Sequence, residues 1–223
     1  MKMPLLLSTV AMAMLLNPTG ATTTDAFVAT DTTVTAPETG LRVNTESSTL
    51  KWNAKKFGGE HYGTIRLAEG TLLVNGSKLT GGSFTIDMTS IVVEDITRAD
   101  SNKKLTDHLK SDDFFSVDKF NTSTFKITKA TPIAKAKKGQ PNYTITGDLT
   151  IKGITKPITF PAIVNVTGKT AEAEANIEVD RTKYDIKYRS GLMGTAADKI
   201  IDDTFTISLK LNAGSTIQPV SGK

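Results

Sequence analysis

Gly147-Asp148-Leu149-Thr150-Ile151-Lys152-Gly153-Ile154-Thr155-Lys156-Pro157-Ile158-Thr159-Phe160 is the stretch on which the fold is decided. Apolar and polar side chains alternate in two short runs. Leu149 and Ile151 share one parity, and Ile158 and Phe160 share one after a turn that holds Gly153, Thr155 and Pro157. A period of two, broken by Gly and Pro, signals a β-hairpin. Tyr143 and Ile145 extend the first run, so the hairpin carries one long apolar face. That face must be covered by another layer or by the sheet curling onto itself. No helical layer is visible in the sequence, so a closed or nearly closed barrel is expected.

The same alternation recurs on both sides of the hairpin. Upstream, Arg42-Val43-Asn44 starts a first strand, and Thr49–Ala54 places Leu50, Trp52 and Ala54 on one side. A turn at Gly58-Gly59 leads into Tyr62–Leu67, and Gly70 precedes Thr71–Val74, with Asn75-Gly76 as a strong two-residue turn signal. Phe84, Ile86 and Met88 then share a face, as do Phe125 and Ile127 within Thr124–Thr128. Downstream, Pro161–Val166 continues to a turn at Gly168, and Ala171–Val179 alternates with its glutamates on the wet parity. The last strand, Thr204–Leu211, keeps Phe205, Ile207, Leu209 and Leu211 together. About eight antiparallel strands result, and a barrel of that size has room for side chains or one small ligand.

Residues 94–119 break the pattern. Asp100-Ser101-Asn102 is suited to cap a helix that carries Leu105 and Leu109 on one side. Ser111–Val117 follows as a tight turn loaded with Phe114 and Phe115. This short helix and loop are expected to plug one end of the barrel.

At 223 residues the chain suits one β domain with tails. Residues 1–21, with Lys2 before an apolar run and Thr19-Gly20-Ala21 at its end, read as a cleavable export signal, which places the protein in the periplasm. Residues 22–40 read as a Thr-rich flexible tether, 41–212 as the barrel and 213–223 as a loose tail. The net charge of +4 comes from interspersed Lys, Asp and Glu, without the basic patch that nucleic-acid binding calls for. Lys135, Lys137 and Lys138, beside Gly139 and Pro141, read as a solvated loop tip. Outward parities rich in Thr, Lys, Asp and Glu argue against insertion in a membrane. With no cysteine, disulfides, thiolate metal sites and cysteine nucleophiles are excluded.

Signals for catalysis are weak. His61 and His108 are the only histidines and lack metal-site spacing. His108 reads as a hydrogen-bonding partner for a neighbouring loop, and Asp112-Asp113 as turn residues with solvated charges. Ser48 and Ser90 lack a nucleophile-elbow context. No catalytic residue, metal or cofactor is expected.

The tracts His108-Leu109-Lys110-Ser111-Asp112-Asp113-Phe114-Phe115, Phe125-Lys126 and Gly147–Pro157 resemble, in order and spacing, the YceI-like family of exported polyisoprenoid-binding proteins. Asp180-Arg181-Thr182-Lys183-Tyr184-Asp185 is similar to the family's penultimate strand, and Asp203–Leu211 to its closing strand. Two places depart from the pattern. Leu105 and Thr106 stand where members carry Arg-Asp, and Lys55 and Lys56 where many end a strand with His. The resemblance covers roughly residues 41–212 and implies a lipocalin-like barrel with a deep apolar channel for a prenyl chain or prenylated quinone.

Alternation alone leaves open whether the inward residues fill a core or line that channel. The residues expected to touch a lipid are Leu50, Trp52, Phe84, Ile86, Met88, Phe114, Phe115, Phe125, Ile127, Tyr143, Ile145, Leu149, Phe160, Phe205 and Ile207. The resulting expectation is a soluble exported carrier of a long-chain isoprenoid, with a homodimer compatible with it. The rivals are an exported interaction or adhesion module with a filled core and, behind it, an isoprenoid-modifying enzyme.

Overall fold

The computed structural model describes residues 38–215, so the expected signal and all but the last residues of the expected tether lie outside the described residues. The hairpin read first from the sequence becomes β6 (Tyr143–Ile151) and β7 (Ile154–Val166). Its turn is tighter than expected. Lys152 and Gly153 alone make it, with φ of 51° and 72°, while Thr155 and Pro157 already lie in β7. Two positive φ values match the twist of the flanking strands, which is why Gly follows Lys here.

Before the hairpin come β1 (Thr39–Val43), β2 (Thr49–Lys56), β3 (Gly59–Asn75), β4 (Lys78–Val93), α1 (Ala99–Lys110) and β5 (Thr122–Pro132). After it come β8 (Thr170–Asp180) and β9 (Ile201–Gly214), separated by short 3₁₀ turns. Neighbours run β3-β2-β9-β8-β7-β6-β5-β4, and β4 pairs back onto β3, closing an antiparallel barrel of eight staves. The short β1 also pairs with both β3 and β9. It continues the stave of β2 beyond a turn in which the Asn44 side chain accepts from the amides of Glu46 and Ser47.

Two sequence boundaries move. Thr39 and Gly40, assigned to the tether, belong to β1, and β9 runs on through Asn212 and the buried Ala213. Asn212, the last residue of the expected barrel, is held there by Ser47 and Ser48.

The larger correction concerns Gly70, which marks no break. β3 is a single strand of 17 residues, and its inward set changes from Ile65 and Leu67 to Leu72 and Val74 across a register shift at Leu67/Glu69. β4 shifts likewise between Met88 and Ile91. There the Ser90 hydroxyl accepts from the Arg66 amide at 2.8 Å and donates to the Asp87 carbonyl at 2.6 Å, replacing ladder bonds inside the bulge. Both Met88 and Ile91 are thereby buried.

The β7–β8 ladder covers only Ala162–Val166 against Ala171–Ala175. Pro157 and Pro161 have no amide hydrogen to extend it, so the two strands part toward the end that carries α1.

That end is the lid. The helix starts one turn earlier than Asp100-Ser101-Asn102 suggested as its cap, at Ala99, with no side-chain cap. Asn102 instead donates to the carbonyls of Val93 and Ile96, pinning the first turn of α1 to the end of β4. The following loop folds back on the helix C-terminus, where the amides of Phe115 and Val117 bond the carbonyls of Leu109 and Lys110. These carbonyls lack intrahelical partners, so the loop satisfies them. The opposite end is closed by tight sheet turns at Gly76 and Gly168 over buried Leu41, Val74, Leu79 and Ala171. No helix among the described residues is long and apolar enough to cross a membrane.

Candidate functional site

The interior of the barrel is not filled. A cavity of about 210 Å³ runs inside it. A single water needs only about 10–15 Å³ measured in this way, so the space suits a chain of carbon atoms. Its wall is built by strand parity. β2 contributes Leu50 and Trp52, β4 Phe84, Ile86 and Met88, and β5 Phe125 and Ile127. Ile145 and Leu149 come from β6, Phe160 from β7, and Phe205 and Ile207 from β9, while Phe114 and Phe115 reach in from the lid.

Of the residues expected at the wall, only Tyr143 stands apart from it. It is buried at the far end, where its hydroxyl accepts from the Leu79 amide at 3.3 Å. Sequence reasoning missed Ile65, Leu67, Ile91, Ile186 and Ile201, along with Leu109 on α1. The parity of β8 and β9 did carry a signal for Ile177 and Leu209, which also face the cavity.

Glycines make room for the large rings. A side chain at Gly147 would meet the Phe125 ring and the Lys126 carbonyl, each at 2.5 Å. Phe125 lies 5.6 Å from Phe160 and 6.3 Å from Phe84 between ring centroids, so three aromatic rings span β4, β5 and β7 above that glycine. At the seam between β3 and β4, Gly63 lets Trp52 lie against the backbone and donate from Nε1 to the Val92 carbonyl at 3.1 Å.

Polar groups are few and sit toward the lid. Arg181, buried, donates from Nε to Asp202 O at 3.0 Å, from Nη1 to Ile186 O at 2.8 Å and from Nη2 to Ile201 O at 2.9 Å. A further bond reaches the Asp203 carboxylate at 3.3 Å. Burial lowers the affinity of this guanidinium for its proton, and the carboxylates of Asp203, Asp180 and Asp202 oppose that effect. Arg181 therefore acts as a knot that ties the 181–202 segment over the barrel. Beside it Tyr184 is almost fully enclosed, and burial followed by the charge of Asp180 pushes its phenol up to about 12. Ser123 completes the set: it lines the cavity, and its hydroxyl has no partner among the described residues.

A smaller space of about 50 Å³ lies under α1. It shares Trp52, Ala54, Leu109, Phe114 and Ile201 with the main cavity and reaches Lys55, Lys56 and His61. The apolar interior thus approaches the surface between α1 and β2. At that rim His61 Nδ1 lies 2.7 Å from Asp95. Burial raises the Asp95 carboxyl, but bonds from His61 and the Tyr62 amide outweigh it and hold the group below its ordinary value.

His108 contacts the lid loop, as its sequence position suggested. Its Nε2 lies 2.9 Å from Asp113, with the rings of Phe114 and Tyr188 at 5.0 and 4.8 Å. Asp112 pairs with Lys119 at 2.8 Å, and that hydrogen bond lowers its pKa. Among the described residues no group of three His, Cys, Asp or Glu side chains is placed to hold a metal ion.

Comparison with known proteins agrees with this geometry. Protein YceI of Escherichia coli is 31% identical over 148 residues, covering 63% of this chain and 71% of that protein. A UPF0312 protein of Vibrio parahaemolyticus is 41% identical over 88 residues, a match that spans 36% of this chain and 44% of that relative's length. Among solved structures, BcnA of Burkholderia cenocepacia shares the fold with a TM-score of 0.53 at 21% identity, covering 77% of this chain and 99% of that one. A polyisoprenoid binding domain from Saccharophagus degradans, implicated in plant cell wall breakdown, also has a TM-score of 0.53, at 14% identity over 78% of this chain and 98% of that one. The YceI-like domain model matches residues 41–213, from β1 almost to the end of β9, and the chain belongs to the YceI-like family.

Proposed function

We propose that this protein is exported and holds a long apolar lipid, a polyisoprenoid or prenylated quinone, inside its barrel. The observation that carries the reading is the cavity of about 210 Å³ walled almost wholly by hydrocarbon. A prenyl chain has no favourable place in water, and each methylene that enters such a wall contributes ~0.8 kcal/mol. A filled adhesion module would pack this space, since cavities in cores cost stability. An enzyme would need a reactive polar cluster against the bound chain, and the guanidinium at the wall, Arg181, is tied up at the lid by backbone carbonyls and the Asp203 carboxylate. The apolar run with Lys2 at residues 1–21 supports export to the periplasm.

The test is mass spectrometry of the organic extract from protein purified out of the periplasmic fraction, with sequencing of its N-terminus. A prenyl lipid near one per chain, on a chain that begins after residue 21, is the expected result. A lipid-free protein that fails to take up prenyl alcohols, or one whose sequence begins at Met1, overturns the corresponding half of the proposal.

A further inference from the structure

We infer that Ser123 is the hydrogen-bonding anchor for an uncharged oxygen on the bound lipid, a carbonyl or hydroxyl held within the lid end of the barrel. The inference rests on the lipid-carrying function proposed above and narrows the ligand class. Ser123 opens β5 on the same parity as Phe125 and Ile127, opposite Ile86 of β4, so its side chain belongs to the cavity wall. It is only 5% exposed, and its Oγ has no hydrogen-bond partner among the described residues.

A buried hydroxyl left unpaired costs stability, and the other buried serines avoid that cost. Ser90 bonds both Arg66 and Asp87, Ser116 bonds the Asp112 carboxylate, and Ser190 accepts from the Leu192 amide. Tyr184 also carries an unpaired buried hydroxyl, but it does not line the cavity. Ser123 is thus the polar group at the wall whose missing partner a ligand would supply.

The neutral character of that partner follows from the charges nearby. Arg181 is the cation that reaches the wall, and its donors are engaged by the carbonyls of Ile186, Ile201 and Asp202 and by the Asp203 carboxylate. A phosphate drawn into the main cavity would find no free counter-charge at its wall among the described residues, Lys55 and Lys56 bordering only the smaller space under α1, and an unpaired buried anion is far more costly than a buried carbonyl. A hydroxyl can donate to a carbonyl or accept from an alcohol, and either satisfies Ser123.

The experiment compares wild type and Ser123→Ala, both stripped of lipid, with squalene, a prenyl alcohol of matched carbon count and its diphosphate as probes. Loss of the hydroxyl is expected to weaken the alcohol roughly fivefold, which is about 1 kcal/mol at 1.4 kcal/mol per tenfold. Squalene affinity stays unchanged, and the wild type takes the alcohol more tightly than the diphosphate. Thermal melting of the empty variant at or above the wild-type midpoint shows that folding is intact. An equal effect on alcohol and squalene, or none on the alcohol, overturns the anchor, and tighter binding of the diphosphate overturns the uncharged class. If the wild type binds neither squalene nor alcohol, the lipid-carrying function falls and the anchor with it. If it binds both but Ser123 makes no difference, only the anchor falls.

Discussion

Phe114 and Phe115 are adjacent in sequence yet should respond differently to truncation. Phe114 is 7% exposed and packs with Leu149, Ile151, Val179, Tyr184 and Ile186, with His108 at 5.0 Å and Tyr188 at 5.4 Å from its ring. Replacing such a ring by Ala removes transfer free energy and opens a hole that its neighbours cannot fill, so Phe114→Ala should cost about 3–5 kcal/mol. Both rings border the cavity, but Phe115 is only half-buried and meets Phe205 edge-on at 6.3 Å. Truncating it enlarges an existing cavity and forfeits about half of the ~1.5–3 kcal/mol of a fully buried ring, or roughly 1 kcal/mol. The assay is urea unfolding of lipid-free protein followed by the fluorescence of Trp52, the single tryptophan, whose ring spans the β3–β4 seam. Lipid must be absent, because a bound ligand adds its own stabilisation. Equal costs at the two positions would show that Phe115 packs against protein and does not face a cavity. An unchanged midpoint for Phe114→Ala would show that the lid is no part of the cooperative fold.

Three further outcomes are expected. Ile86→Gln and Ile207→Gln each place an amide in the hydrocarbon wall and should weaken a long prenyl alcohol by about 1–3 kcal/mol, whereas Lys152→Ala, which removes a lid contact to the Asp185 carbonyl, should leave affinity unchanged in a titration repeated at high salt. Because the Tyr184 pKa is raised from 10.0 to about 12, its neutral form is favoured in the fold. The stability it contributes is complete below pH 10 and lost as the pH rises through 12, so Tyr184→Phe should abolish that component of alkaline unfolding, read by circular dichroism. A Cβ at Gly63 would sit 1.8 Å from the Val92 carbonyl, so Gly63→Ala should destabilise at or beyond the upper end of the ~1–3 kcal/mol of overpacked sites in a thermal melt.

The barrel was legible because inward and outward residues alternate on β2, β6 and β8, and on β9 from Phe205 onward, and the wall residues named from that alternation, Tyr143 apart, fall on the cavity. Where the ladder shifts, the signal breaks. β3 buries Ile65 and Leu67 on odd positions, then Leu72 and Val74 on even ones, so one strand looked like two with Gly70 between them. Gly70 is in the strand because a side chain there would strike Phe84 at 2.8 Å and Val43 at 2.9 Å, contacts that no local pattern encodes. Tyr143 was given the correct parity but the wrong neighbourhood, since its place at the far end depends on pairing with Leu79, 64 residues away. Ser123 was overlooked for a related reason. A serine at the start of a strand reads as a turn residue, and only the closed barrel makes it an inward hydroxyl with nothing to bond.

The two ends of the barrel are held by different kinds of force, and this separates affinity from access. The far end is closed by the sheet itself, through tight turns over side chains such as Leu41, Leu72 and Val74 that are nearly inaccessible. Opening it would expose core and break ladder bonds. The lid is held otherwise. No residue of α1 is fully buried, and its side-chain bonds to the barrel side are Asn102 to the Val93 and Ile96 carbonyls and Lys110 to the Thr89 carbonyl, while His108 bonds Asp113 within the lid. Across from it, the pairing of β7 with β8 has already stopped. The helix, unlike the loop that carries the buried Phe114 and Val117, has few buried apolar contacts, and such segments open at lower free energy than the strands they cover. A lipid held as proposed would therefore be admitted at lowest cost by movement of α1 while the staves keep their register, and the wall would set how tightly it is held, because the hydrocarbon contacts reside there.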